Sequence, residues 1–229
     1  MFARQRMVRG PIVAGLVPAA LVGALTAALT AGCGASGGDD GAGPIDAAEI
    51  DGLGRACTPV IGDLTAPAEV RPVFVDYRGE VQPIAGGAVG LIRPIQGGHV
   101  LMVGLEGKNV PGCGITISGI LRDPATGAMI AQEGRGTELL VGADGWGHVA
   151  FPPSATTANL TTCPLNMLPR DIDGSTWRLE LMLIGDAGRL GSWEGDVVPF
   201  CRADDPDPSS CPCECDADFR FGDPCPVDP

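Results

Sequence analysis

In Trp177-Arg178-Leu179-Glu180-Leu181-Met182-Leu183 every second residue is large and apolar. A helix repeats at 3.6 residues, so this alternation separates an apolar from a polar face only if the segment is a β-strand. Trp177, Leu179, Leu181 and Leu183 are then expected on a core face, with Arg178 and Glu180 in water. Ile115-Thr116-Ile117-Ser118-Gly119-Ile120-Leu121-Arg122 follows the same rule. Weaker strand signals lie at 73–77, 88–92, 99–106, 128–132, 138–141, 148–151 and 196–201, and no helical pattern of ten or more residues competes with them.

Turn chemistry falls between these runs. Arg122-Asp123-Pro124-Ala125-Thr126-Gly127 and Gly142-Ala143-Asp144-Gly145 place Pro, Asp or Gly where a reversing chain needs a fixed or positive φ. About seven to nine short strands at this spacing predict an all-β domain, an antiparallel β-sandwich of which the immunoglobulin-like form is one version. A closed β-barrel is the alternative. Cys113, Trp146 and Cys163 follow the order of the immunoglobulin core, but the tryptophan lies too far from the first cysteine to match it.

The segment 152–175, with Pro152, Pro153, Pro164 and Pro169 among small polar residues, is expected to be a long surface loop pinned by Cys163. Within it, Asn159-Leu160-Thr161 is read as a chance sequon. Asp171-Ile172-Asp173-Gly174-Ser175 is read as a turn, because it lacks the further ligands and downstream glutamate of a calcium loop.

The ends of the chain are built differently. Arg4, Arg6 and Arg9 precede an uncharged apolar run over 12–30, and small residues then lead to Cys33. This is the layout of an export signal, and a Gly/Asp-rich tract follows where a stop-transfer anchor would carry Lys or Arg. The division expected is 1–32 as signal peptide, 33–56 as a Gly/Asp-rich linker, 57–201 as the sandwich and 202–229 as a Cys/Pro/Asp-rich tail. The linker has a faint helical pattern over 44–55, broken by Gly52 and Gly54.

Leu29-Thr30-Ala31-Gly32-Cys33 resembles the lipobox of bacterial lipoproteins, with Thr30 standing where the family prefers Leu. The resemblance implies cleavage before Cys33, a diacylglycerol on its thiol and acylation of its new amino group. Two or three acyl chains hold a protein at a membrane where one does not. The chain as a whole is similar to envelope lipoproteins of Gram-negative bacteria. That likeness implies a lipid-anchored place in the cell envelope, with Gly34 after the cysteine permitting outer-membrane delivery to its periplasmic or surface face. The competing reading is an ordinary secretory signal that leaves Cys33 as a thiol or in a disulfide.

Cysteine arithmetic bears on the same point. Nine cysteines are present, and an odd number in an exported chain calls for an explanation. With Cys33 as the lipid attachment site, eight disulfide candidates remain: Cys57, Cys113, Cys163, Cys201, Cys211, Cys213, Cys215 and Cys225. Their connectivity is open, with Cys201 and Cys225 the nearest candidates for the tail cysteines. The tail has too few core formers to fold by burial alone, so cross-links must hold it if it is ordered. The alternative is a metal-handling lipoprotein in which Cys211, Cys213, Cys215 and Cys225 supply thiolates to zinc or copper(I). Zinc sites usually space cysteines more widely, and no histidine lies nearby in the sequence.

Charge excludes one class of partner. Removing the leader takes three arginines from the 15 basic side chains and none of the 28 acidic ones, so net charge moves from −13 to −16. Such a surface repels phosphate backbones, and nucleic acid is not an expected partner. Catalytic signatures are sparse. His99 and His148 are the two histidines and read as packed or surface residues, and Gly-x-Ser-x-Gly, zinc-protease and dinucleotide motifs are absent. Gly107-Lys108-Asn109 lacks the rest of a phosphate loop. Asp76 with Glu80 is a carboxylate pair of the kind a glycosidase uses, which leaves a hydrolase as a third reading. The expectation is a non-catalytic membrane-anchored lipoprotein, structural or binding a protein, peptide or glycan, with no cofactor implied.

Overall fold

The computed structural model describes residues 57–165, 168–203 and 208–225. The leader, Cys33, the linker and its faint helical stretch lie outside them. Thirteen strands and two short helices follow in chain order: β1 (Val60–Ile61), β2 (Glu69–Val75), β3 (Val81–Pro83), β4 (Ala88–Gly90), β5 (His99–Lys108), β6 (Val110–Pro111), β7 (Ile115–Arg122), β8 (Met129–Thr137), β9 (Leu139–Val141), β10 (Gly147–Val149), α1 (Pro153–Thr156), β11 (Ala158–Cys163), β12 (Trp177–Gly185), β13 (Gly188–Phe200) and α2 (Ser210–Glu214). Among the described residues no helix is long and apolar enough to cross a membrane.

The strands form a sandwich. One sheet runs β3-β2-β5-β10-β9, with β11 also paired to β5, and the other runs β4-β13-β12-β7-β8. A two-stranded ribbon of β1 and β6 completes it. All these pairings are antiparallel except that of β4 with β13. In β5, Val103 lies opposite Phe74 of β2 and Ala158 of β11, so both edges of that strand are occupied and it is the spine of its sheet.

β12 carries the alternation that its sequence announces. Trp177, Leu179, Leu181 and Leu183 are fully buried, and Arg178 and Glu180 are half-buried on the other face. Leu101 and Leu105 of β5 belong to the same core. The layers approach closely at Gly119 of β7, where a Cβ would meet Ala158 at 3.2 Å and Leu160 at 3.4 Å. The turn at Asp123 is fastened by its own carboxylate, which accepts from the Ala125 amide at 3.1 Å and the Thr126 hydroxyl at 2.7 Å.

The expected long loop over 152–175 is corrected by the structure: it contains β11, a strand paired along β5 and buried at Ala158, Leu160, Thr162 and Cys163. Small and hydroxylated residues can build a buried strand when their polar atoms find backbone partners. Thr162 Oγ1 donates to the His99 carbonyl at 3.0 Å, and the register shifts between Thr161 and Cys163 so that both Thr162 and Cys163 turn inward. Asn159 of the sequon lies within this strand, its amide donating to the Ser154 carbonyl at 3.0 Å.

The cysteine-rich tail belongs to the same folded unit as the strands. Cys211 and Cys215 of the α2 region are part of the apolar core. Segment 171–175 receives the tail: Ile172 donates its amide to the Cys215 carbonyl at 2.9 Å, Asp171 accepts from the Ala217 amide at 2.9 Å, and Asp173 accepts from the Cys201 amide at 2.8 Å. Both carboxylates are thereby used in holding backbone.

Replacing Leu181 by Ala removes a fully buried side chain between the sheets and is expected to lower unfolding free energy by about 2–5 kcal/mol. Met129→Ala, at a side chain 53% exposed, should change it by less than about 0.5 kcal/mol. Denaturant unfolding with the disulfides intact compares the two, and equal costs would contradict this placement of the core.

Candidate functional site

Two clusters of chemically capable side chains emerge from the fold. The first lies where β2, β5 and the β9–β10 turn meet. Arg71 and Glu106 stand directly opposite each other across β2 and β5, and Gly147 opposite Gly107 brings His148 beside Glu106. Gly145, at φ +76°, closes the turn that carries Asp144 back over His148.

These four side chains form a closed ring. Arg71 Nε donates to Glu106 Oε2, while Glu106 Oε1 meets His148 Nδ1 at 2.6 Å. His148 Nε2 meets Asp144 Oδ1 at 2.9 Å, and Asp144 Oδ2 accepts from Arg71 Nη2 at 3.1 Å. The Arg71 guanidinium also lies 4.4 Å from the centre of the Trp146 ring. Two cations and two anions alternate around the ring, so each charge has an opposite charge on both sides.

The tautomer follows from the partners. Both imidazole nitrogens face carboxylates, and a neutral ring can donate from only one of them. Burial pulls the imidazole pKa down, but the hydrogen bonds to Asp144 and Glu106 outweigh it and the net shift is upward. The His148 bond, the Trp146 amide and Arg71 hold the Asp144 carboxyl at about 2. While it is protonated, His148 has no lone pair with which to take a proton or ligate a metal. What the ring does is mechanical: β10 meets β5 through one residue pair, and the ring fastens the β9–β10 hairpin to β2 and β5.

The second cluster is sulfur. The disulfides are Cys57–Cys113, Cys163–Cys215, Cys201–Cys211 and Cys213–Cys225. All eight expected candidates are therefore paired, and Cys201 and Cys225 each join a tail cysteine. Cys163 and Cys215 lie in the core beside His99, with one His99 ring nitrogen and the two sulfurs within 4.8 Å of one another. The sulfurs of Cys201, Cys211 and Cys215 are grouped as closely. Gly98, at φ +70°, makes this approach possible, since a Cβ there would stand 2.7 Å from the Cys163 carbonyl oxygen. His99 Nδ1 is 3.2 Å from Glu214 Oε2, and Arg93 lies 3.8 Å from the other oxygen of that carboxylate.

A thiophilic ion would suit such a donor set only with the sulfurs as thiolates. Here Cys211, Cys213, Cys215 and Cys225 are oxidised and offer none. The sequence candidates for other chemistry are tied into turns and loops. Asp76 accepts from the Arg78 and Glu80 amides, at 2.9 and 3.0 Å, and so closes the β2–β3 turn. Asn109 binds the Asp63 amide and the Pro67 carbonyl, which fixes the loop after Lys108 in place. Trp146 sits under Arg71, Cys113 pairs with Cys57 and Cys163 pairs with Cys215, so the immunoglobulin-like order of those three residues has no spatial counterpart.

Sequence reasoning singled out His148 but missed Arg71, Glu106 and Asp144 as its partners. The Asp144–His148 spacing across a Gly-containing turn was a local signal. The other two are joined to it by strand register, which no local pattern reports. No protein-family model matches the chain, and no curated protein matches its sequence.

The ring sets a pH dependence. A histidine whose folded pKa is raised contributes stability that is fully present below its unfolded value of about 6.5 and is lost as pH rises through the folded value. Wild-type protein should lose stability between pH 6 and pH 9 in a component that His148→Gln lacks, of less than about 1 kcal/mol because the ring is partly exposed. Unfolding free energies at the two pH values measure it, and an equal slope in both proteins would contradict the assignment.

Proposed function

We propose that the chain is a membrane-anchored envelope lipoprotein whose sandwich acts as a non-catalytic structural or partner-binding module. The observation that carries this reading is the sulfur count. The eight cysteines from Cys57 onward are all joined to one another, so Cys33 has no cysteine of this chain left to pair with. An odd cysteine at the end of Leu29-Thr30-Ala31-Gly32-Cys33 is what lipid attachment requires. Four disulfides also suit an oxidising compartment, reached by export.

The non-catalytic part of the proposal rests on how the polar groups are used. His148 is enclosed by two carboxylates, and Asp76, Asp123, Asp171 and Asp173 each hold backbone amides in turns or at the tail. These groups serve the fold. A module of this kind takes part through its surface, and the strongly acidic mature chain favours a protein, peptide or glycan over nucleic acid as partner. The acyl chains supply the membrane partner, and Gly34 after Cys33 favours the outer membrane.

Expression of the full chain with Cys33→Ser in a Gram-negative host tests the anchor. The unaltered protein should sediment with membranes, require detergent for release and yield an N-terminal peptide at Cys33 that carries fatty acyl mass. The variant should lose both the acyl mass and the membrane association. An unaltered protein recovered without detergent, with an unacylated mature N-terminus, overturns the proposal.

A further inference from the structure

We infer that Cys201–Cys211 and Cys163–Cys215 form a thiol–disulfide exchange relay, open to an external dithiol at Cys201 and ending at Cys163 beside His99. This inference is independent of the lipid anchor. It rests on the contact between two different disulfides: the sulfurs of Cys201, Cys211 and Cys215 lie within 4.8 Å of one another. Disulfides exchange when a thiolate reaches a sulfur of another bond, so such a contact is the geometric requirement for transfer.

Exposure gives the relay a direction. Cys201 is half-buried, whereas Cys211, Cys215 and Cys163 have at most 1% of their surface accessible. Of the four sulfurs in these two bonds, Cys201 is therefore the one an external thiol reaches. In the first step its thiolate attacks Cys201 Sγ, breaks Cys201–Cys211 and leaves the Cys211 thiolate. In the second, the Cys211 thiolate attacks Cys215 Sγ, forms Cys211–Cys215 and expels the Cys163 thiolate. In the third, the second thiol of the reductant attacks the mixed disulfide and releases Cys201. The dithiol has become a disulfide, and its two electrons and two protons reside on the Cys163 and Cys201 thiols.

Local structure favours the middle step. Cys211 and Cys215 are one helical turn apart, the Cys215 amide donating to the Cys211 carbonyl at 3.0 Å. Residues four apart on a helix share a face and lie roughly 6 Å apart along it, within the Cα separation of about 4.4–6.8 Å that a disulfide spans. At the other end, His99 stands beside the sulfur that must leave, with Glu214 at 3.2 Å. An imidazole N–H within reach of that sulfur can hydrogen-bond the thiolate as it leaves, which favours its departure.

The outcome is mechanical as well as chemical. Cys163–Cys215 ties the tail to β11, and Cys201–Cys211 ties it to the end of β13. The relay exchanges both ties for one bond inside α2. No disulfide then ties the tail to the sandwich, which leaves packing, hydrogen bonds and ion pairs to hold it, and an external dithiol becomes the signal that loosens it.

The test uses the full oxidised chain with one equivalent of dithiothreitol. The reaction is stopped with acid, the thiols are alkylated in denaturant, and the labels and disulfides are mapped by peptide mass spectrometry. The expected product carries label on Cys163 and Cys201, contains a new Cys211–Cys215 bond and keeps Cys57–Cys113 and Cys213–Cys225. Label on Cys201 and Cys211 with Cys163–Cys215 intact overturns the relay, as does any other distribution. In the double variant Cys201→Ser/Cys211→Ser, opening of Cys163–Cys215 by the same dithiol should slow by at least about tenfold, because its attacking thiolate is gone. An unchanged rate overturns the relay. His99→Gln should slow the appearance of the Cys163 thiol, by about tenfold, without slowing attack at Cys201.

Discussion

Two adjacent cystines hold the last part of this chain against its sandwich, and much of the architecture follows from them. α2 is five residues long and would not be helical alone in water. Cys163–Cys215 closes 52 residues of chain, a constraint of about 4 kcal/mol on the unfolded ensemble by the loop-entropy argument. With that tie in place, Asp171, Ile172 and Asp173 meet tail backbone, and Arg93 and His99 meet Glu214. A segment rich in Asp and Pro thus becomes part of the core without supplying large apolar side chains.

The two polar clusters solve a similar problem by different chemistry. The β9–β10 hairpin meets β5 at one residue pair, and the ring of Arg71, Glu106, His148 and Asp144 secures it by charge. The tail is secured by sulfur. Charge and sulfur answer to different conditions: the ring responds to pH through an imidazole with two carboxylate partners, whereas the cystines respond to thiols. These are distinct sensitivities, and the fold keeps them on different elements.

The legibility of this fold in its sequence depended on how each strand meets solvent. β7 and β12 were readable because one face is apolar and the other carries Arg, Thr or Glu, and the bounds expected for β7 are those observed. β11 was not, because its buried face is made of Ala158, Leu160, Thr162 and Cys163 and is flanked by prolines that suggest a loop. The far half of β8, Glu-Gly-Arg-Gly-Thr, pairs with β7 while largely facing outward, so it has no apolar stripe to announce it. Among the functional candidates, the cysteines were visible by count, but their pairing was fixed only by where strands and tail place them. The ionic ring was invisible for the same reason, since Arg71 and Glu106 lie 35 positions apart and meet through register.

The claim on which this account depends is that the sulfurs from Cys57 onward are locked in pairs, which leaves Cys33 for another purpose. Titration of thiols in the purified mature protein, in denaturant and without reductant, tests it most directly. The account requires that no thiol react before reduction and that eight react after it. Thiols that titrate before reduction, or a ninth that titrates afterwards, would contradict it.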